Sequence, residues 1–279
     1  MTLSISSQDH FLNRSIPLLT SAGVEYLASR KLVVAGCGGV GGAMALTMCR
    51  MGIGSFHLAD PAIFDPPDMN RQWGALGSTM DRNKAEVYRD LILDINPDAH
   101  VQVFTEGLTN DNQDEFLQGT DILVDCLDAG VPYELRETMH QKARALGVFS
   151  VVAPILGFGC FALCSSPLGM SMEFWTRTFR NAKQSTELPS IFKEWFMPEQ
   201  IDIIGQSLKV GKIPTLAVGP AIASSLLATE CIAHLLDGII PGSRKPIVLP
   251  KGMFFDLFRM SYQIIDVSEI RTQFEGEQQ

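Results

Sequence analysis

A compact apolar run, Lys31–Ala35 (KLVVA), breaks directly into Gly36-Cys37-Gly38-Gly39-Val40-Gly41-Gly42 and then into the small apolar stretch Ala43–Met51. That order predicts a strand, a tight glycine turn and a helix. Gly54–Asp60 predicts a second strand that ends on a carboxylate. Val87, Leu91 and Ile95 recur every four residues within Asn83–Ile95, the spacing of a helix with one buried stripe. Strands at Val101–Phe104 and Ile122–Cys126 flank a helix near Asp111–Leu117, and Pro132–Leu146 reads as a helix with proline in its first turn. Strands alternating with helices in this way predict a parallel sheet covered on both faces.

The second half changes rhythm. No charge occurs from Ala145 to Met172 or from Ile213 to Thr229. The first stretch carries Pro154, Pro167 and four glycines, and reads as two buried strands, Val148–Val152 and Cys160–Cys164. The second is 17 residues long, short of the roughly 20 that a spanning helix needs, and Glu230 and Asp237 follow on the same helix. Leu216–Leu236 is therefore expected to be a long buried helix rather than a membrane span. Ile247–Leu249, Met253–Leu257 and Tyr262–Val267 predict short antiparallel strands. Residues 172–212 show no clear period and read as an excursion over the active face. The expected class is α/β: a Rossmann-like, doubly wound, mostly parallel sheet extended by C-terminal antiparallel strands. Residues 1–30 form an N-terminal helical arm, 31–165 the core, and 166–279 a crossover segment, long helix and final strands of the same domain.

Composition narrows the function. The 22 basic and 31 acidic residues of the 279 leave a net charge of −9, which disfavours a surface that tracks nucleic acid or anionic lipid by charge alone. The six cysteines form no CxxC, as suits buried thiols in a reducing compartment. Residues 1–20 are polar and lack a long apolar core, so no signal peptide is expected and the assignment is cytoplasmic.

The candidate chemistry starts at the glycines. Gly36, Gly38 and Gly41 match GxGxxG, a turn that lets backbone approach phosphate at a helix N-terminus. Asp60, 24 residues after Gly36, stands where a carboxylate can accept hydrogen bonds from a ribose diol. Farther on, Asn70-Arg71-Gln72 and Lys84 supply a planar fork and a point charge. Asp128, at the end of the strand when that strand is read as Ile122–Asp128, is placed to hold Mg2+ against phosphates. A nicotinamide-dependent oxidoreductase leaves Arg71, Lys84 and Asp128 unused. An enzyme that transfers an adenylyl group must hold a triphosphate and neutralise charge as pyrophosphate departs.

GCGGVGG, the Asp60 strand end, MNRQ at 69–72, Lys84 opening its helix, Ile95-Asn96-Pro97 and the Asp121-x3-Asp125-x2-Asp128 run resemble the ThiF/MoeB/HesA family, bacterial relatives of ubiquitin-activating enzymes. The resemblance covers roughly residues 8–165 and resumes at Val218–Ala223. It implies ATP- and Mg2+-dependent adenylylation of a carboxylate, often the C-terminal glycine of a ubiquitin-like sulfur carrier. Carried over by position, Gly36, Gly38, Gly39, Val40 and Gly41 line the phosphate turn and Asp60 takes the ribose. Asn70, Arg71 and Lys84 surround the phosphates, and Asp128 supports the metal. The family's homodimers lend an arginine into the partner's ATP site, and Arg14 stands where that residue belongs, 22 residues before Gly36.

The chain departs from the family in three ways. The paired cysteines that bind a structural zinc in many members are absent. Cys160 and Cys164 are spaced CxxxC on one strand, which separates them by about 13 Å, too far for one tetrahedral ion. No cysteine lies between Cys164 and Cys231 to serve as the crossover nucleophile of some relatives. The family's usual asparagines are replaced by Asp68 and Ala129, and a carboxylate near the triphosphate would repel it unless the metal or Arg14 compensates. Three readings follow: a carboxylate adenylyltransferase acting on a carrier protein or peptide; an ATP-dependent dehydratase of a modified tRNA base, as in a zinc-free relative; and a nucleotide-binding scaffold without catalysis. The aromatics Phe174, Trp175, Phe179, Phe192, Trp195 and Phe196 form either core or a groove for a peptide tail.

Overall fold

The computed structural model describes residues 10–128, 130–173, 176, 201–203, 205–207 and 214–268. The six aromatics of the crossover, Ala129 and the C-terminal tail lie outside these residues.

The expected parallel half is present almost residue for residue. Strands β1 (Lys31–Ala35), β2 (Ser55–Ala59), β3 (His100–Phe104), β4 (Ile122–Asp125) and β5 (Phe149–Val152) pair in the order β3-β2-β1-β4-β5, all parallel. Two-residue β6 (Ile155–Leu156) pairs with β7 (Gly159–Ser165), and β7, β8 (Lys251–Asp256) and β9 (Ser261–Asp266) extend the sheet antiparallel from β5.

Side chains of β1 alternate between two cores. Leu32 and Val34 join the larger one, with residues of α1 (Ile16–Ala28), α2 (Gly39–Arg50), α3 (Lys84–Ile95) and α6 (Val218–Leu235). Val33 and Ala35 join the other, with α4 (Gln113–Leu117) and α5 (Tyr133–Ala145). Burial on both faces explains why these strands read as continuous apolar runs rather than alternating ones. Helix α6 is long and apolar enough to cross a membrane, yet 56% of that window is buried inside the fold.

Register sets the site. Ala35 of β1 lies level with Ala59 of β2 and Asp125 of β4, so Gly36, Asp60 and Cys126 leave the sheet side by side. The chain winds one way from β1 to β2 and β3, then crosses to β4 on the other side of β1. The crevice at that reversal is where such sheets bind ligands. Gly36 makes the turn with φ +92°, and a Cβ there would sit 2.3 Å from the Cys126 carbonyl oxygen. At Gly41 a Cβ would sit 1.9 Å from the Gly36 carbonyl oxygen, so α2 can pack against the turn only without a side chain.

Four local expectations shift. Strand β4 stops at Asp125 rather than Cys126, because the Asp125 carboxylate accepts the Leu127 N–H (3.2 Å) and bends the chain. Pro132 is the N-cap of α5, not part of its first turn. Ile247–Leu249 is not a strand: the Ile247 N–H goes to the carboxylate of buried Glu230 (2.7 Å), which Arg244 also grips. The N-terminal arm is partly core, with Leu12 and Leu19 buried in their own chain and Phe11 and Leu18 exposed.

Candidate active site

The site is built at the C-terminal ends of β1, β2 and β4. Helix α2 starts at Gly39 with Gly38 as N-cap and no side chain capping it, so among the described residues the first-turn N–H groups have no side-chain acceptor. An anion over the turn would satisfy them. Pro220, in the first turn of α6, closes on the same place: a Cβ on Gly39 would meet its Cγ at 3.0 Å.

Asp60 follows β2 and is buried. One carboxylate oxygen accepts the Cys37 N–H (2.7 Å) and the other the Ala62 N–H (2.8 Å). It therefore staples the glycine turn to the end of β2, and a ribose would share its remaining lone pairs. Burial pushes its carboxyl above the ordinary carboxylate range, against the pull of these hydrogen bonds and of Lys84.

The next segment forms a 3-10 helix, Pro66–Asn70, opened by a capping box between Asp65 and Asp68. It presents Asn70 and Arg71 at its end. Arg71 Nη1 donates to Asn70 Oδ1 (2.9 Å) and to the Pro67 carbonyl (3.1 Å), and Asn70 Nδ2 donates to the Thr215 carbonyl (3.2 Å), tying this segment to the residues before α6. Lys84 is the first residue of α3, behind the N-cap Asn83. Its ammonium lies 2.9 Å from Asp68 Oδ2 and 5.5 Å from the centroid of Phe64.

Asp68, whose charge was expected to need the metal or Arg14 as compensation, already has cations of its own chain beside it. It is buried and gathers both cations, Lys84 at 2.9 Å and Arg71 at 3.5 Å, and accepts from Gln72 Nε2 as well.

A second cluster was not anticipated. Behind β4 the buried Asp125 faces Arg136 Nε (3.2 Å) and His140 Nε2 (2.9 Å), both on α5. Burial alone would raise the Asp125 carboxyl, but Arg136 and His140 outweigh it and hold it below the ordinary range. Arg136 Nη2 also donates to the Leu127 carbonyl, bracing the loop that carries exposed Asp128. The available signal was Arg136 and His140 four residues apart on one helix face after the Asp125 run.

Arg14 is exposed in the turns before α1. Cys160 and Cys164 are fully buried on β7, and burial pushes the Cys160 thiol up to about 12 and the Cys164 thiol up as well, away from thiolate chemistry.

A glycine turn at the switch point of a doubly wound sheet, with Arg71 and Lys84 paired to Asp68 nearby, defines a Rossmann-like α/β protein. A sequence model of the ThiF family matches residues 12–275, and the chain belongs to that family. It is 32% identical to the tRNA threonylcarbamoyladenosine dehydratase of Bacillus subtilis over 120 residues, 43% of this chain and 47% of that protein. It is 26% identical to the sulfur carrier protein ThiS adenylyltransferase of Escherichia coli over 137 residues, 49% of this chain and 53% of that protein. The chain thus spans about half the length of these curated relatives. A crystal structure of E. coli MccB with ATP superimposes with a TM-score of 0.67 at 17% identity, covering 93% of this chain and 72% of that one, which shows a shared fold.

Proposed function

We propose that this protein is an ATP-dependent adenylyltransferase that activates a carboxylate as its acyl-adenylate. The observation that carries the reading is that Lys84 and Arg71 share one carboxylate beside the open N-terminus of α2, where a Cβ on Gly39 would lie 3.7 Å from Arg71 Cγ. Donors fixed before the reaction stabilise charge that develops as pyrophosphate leaves. The residues present fit ATP: the glycine turn admits phosphate close to backbone, and Asp60 stands beside it for the ribose. Gly36, Gly38, Gly39, Val40 and Gly41 would line the phosphates, with Asn70, Arg71 and Lys84 around them. ATP supplies the adenylyl group. Exposed Asp128, on the loop braced by Arg136, is the carboxylate to hold Mg2+, which would shield the phosphates.

The substrate class that fits the family is the C-terminal carboxylate of a small carrier protein or a peptide. A tRNA base is the second reading, favoured by the similarity to the Bacillus subtilis dehydratase. The cytoplasm, where ATP and reduced thiols coexist, is the proposed location. The deciding experiment incubates the protein with ATP, Mg2+ and cell extract and follows the nucleotide. AMP, pyrophosphate and an AMP-linked acyl product are expected. Release of ADP and phosphate instead would overturn the reading.

We further propose a homodimer in which Arg14 reaches the partner's site. Its support is the exposure of Arg14 beside Phe11 and Leu18, which are 45% and 77% exposed. Mixing Arg14→Ala with Lys84→Ala, each inactive alone, places both defects in one site of every mixed dimer. About a quarter of all sites should then recover exchange activity. No recovery after verified subunit exchange would confine Arg14 to its own chain.

A further inference from the structure

We propose that Asp68 is a built-in counter-anion of the phosphate site, and that it makes the protein accept a triphosphate together with a divalent cation while rejecting the free polyanion. The inference rests on the ATP reading above but assigns a task to a residue that reading does not use.

Three observations support it. First, the cations expected to meet phosphate already share one carboxylate: Lys84 Nζ is 2.9 Å from Asp68 Oδ2 and Arg71 Nη2 is 3.5 Å from Asp68 Oδ1. Second, Asp68 is a fixture. Its Oδ2 accepts the Asp65 N–H (3.3 Å) in the capping box, its Oδ1 accepts from Gln72, and Pro66 and Pro67 stiffen the turn before it. Its side chain is only 8% exposed, so it cannot swing into solvent when an anion arrives. Third, the local charge does not favour a polyanion. Lys84 and Arg71 both face Asp68, Lys84 also acts on Asp60, and Asp128 on the neighbouring loop adds a third carboxylate that acts on Asp60. Within one chain, two cations against three carboxylates leave the helix N-terminus as the main attraction for free triphosphate. In a partly dry crevice a like charge a few ångströms away is strongly repulsive, and a bound divalent cation removes most of that repulsion.

The test uses the full chain, wild type and Asp68→Asn, which keeps the shape and an acceptor oxygen but removes the charge. Sodium tripolyphosphate is the probe, because it carries the phosphate chain without adenosine; ATP is titrated in parallel. Calorimetry is run in EDTA and again with Mg2+, after melting curves confirm that both proteins are folded. Without metal, Asp68→Asn should bind tripolyphosphate at least about 10-fold more tightly than wild type, and with Mg2+ the gap should close to within about 3-fold. An equal gap in both conditions, no gap without metal, or no binding by either protein with Mg2+ overturns the proposal. Should the variant not fold, wild type alone still decides: equal affinity for metal-free and Mg2+-bound tripolyphosphate overturns it. Metal-selective binding without release of AMP from ATP would sink adenylylation alone. AMP release with no metal-free gap would sink only the role of Asp68.

Discussion

Lys84→Ala and Arg71→Ala should each slow ATP–pyrophosphate exchange by roughly 30- to 1,000-fold. A charged contact to phosphate that strengthens as pyrophosphate leaves contributes about 2–4 kcal/mol to the barrier, and each 1.36 kcal/mol is tenfold in rate. Lys84→Ala belongs at the upper end. The ammonium is almost wholly buried, at 2.9 Å from Asp68, and its removal leaves that carboxylate, among the described residues, with Arg71 at 3.5 Å as its cation. The site then loses a cation and keeps an anion. Arg71 is more exposed and already donates to Asn70 and Pro67, so its loss is better tolerated. Exchange assays on folded variants, checked by melting curves, decide the matter. Wild-type rates in both would remove these residues from the site.

The largest effect on stability is expected at Asp125. Asp125→Ala leaves Arg136 and His140 partly or wholly buried around a missing carboxylate, and breaking a buried pair in this way costs about 3–5 kcal/mol. The pH dependence has a definite sign. Arg136 and His140 hold the folded carboxyl below its unfolded value, so this stabilisation is present in full above the ordinary carboxylate pKa of about 3.9. It is lost as pH falls through the depressed folded value. The gap in unfolding free energy between wild type and Asp125→Asn should therefore be widest above about pH 5 and narrow below about pH 4. Urea titrations across that range measure it, and a gap that widens on acidification would mean that the carboxylate is not held by these partners. Activity adds a second readout, because the same Arg136 braces the Leu127 carbonyl beside Asp128.

Exposed and buried charges also divide what was legible beforehand. Lys84 was recognisable because it opens a strongly periodic helix at a set distance from the glycine turn. Arg71 was recognisable from its neighbours Asn70 and Gln72. Asp68 was noticed only as a departure, because its partner Lys84 is 16 positions away in the chain and the ion pair exists only once the Ala62 carbonyl accepts the Lys84 N–H (2.9 Å) and folds the two segments together. Arg136 and His140 lie four residues apart on α5 and drew no attention in the sequence. Nothing local distinguishes a pair aimed at solvent from a pair aimed at a carboxylate at the end of a neighbouring strand.

The amino-acid order by itself determined the elements and the chain of motifs, since apolar period, glycine conformational freedom and helix caps are properties of a few consecutive residues. KLVVA before GCGGVGG reads as a buried strand and a tight turn, and Asp60 comes one residue after the end of the next strand rather than ending it. Tertiary structure alone decided where charge is neutralised. Parallel register levels Ala35 with Ala59 and Asp125, which brings three chain segments together at one crevice. It also decided that Leu12 and Leu19 pack inward while Phe11 and Leu18 remain outside, and that the Ile247 N–H goes to Glu230 rather than to a strand. Each of these outcomes depends on a partner far away in sequence, and Coulomb and packing energies depend on distance in space.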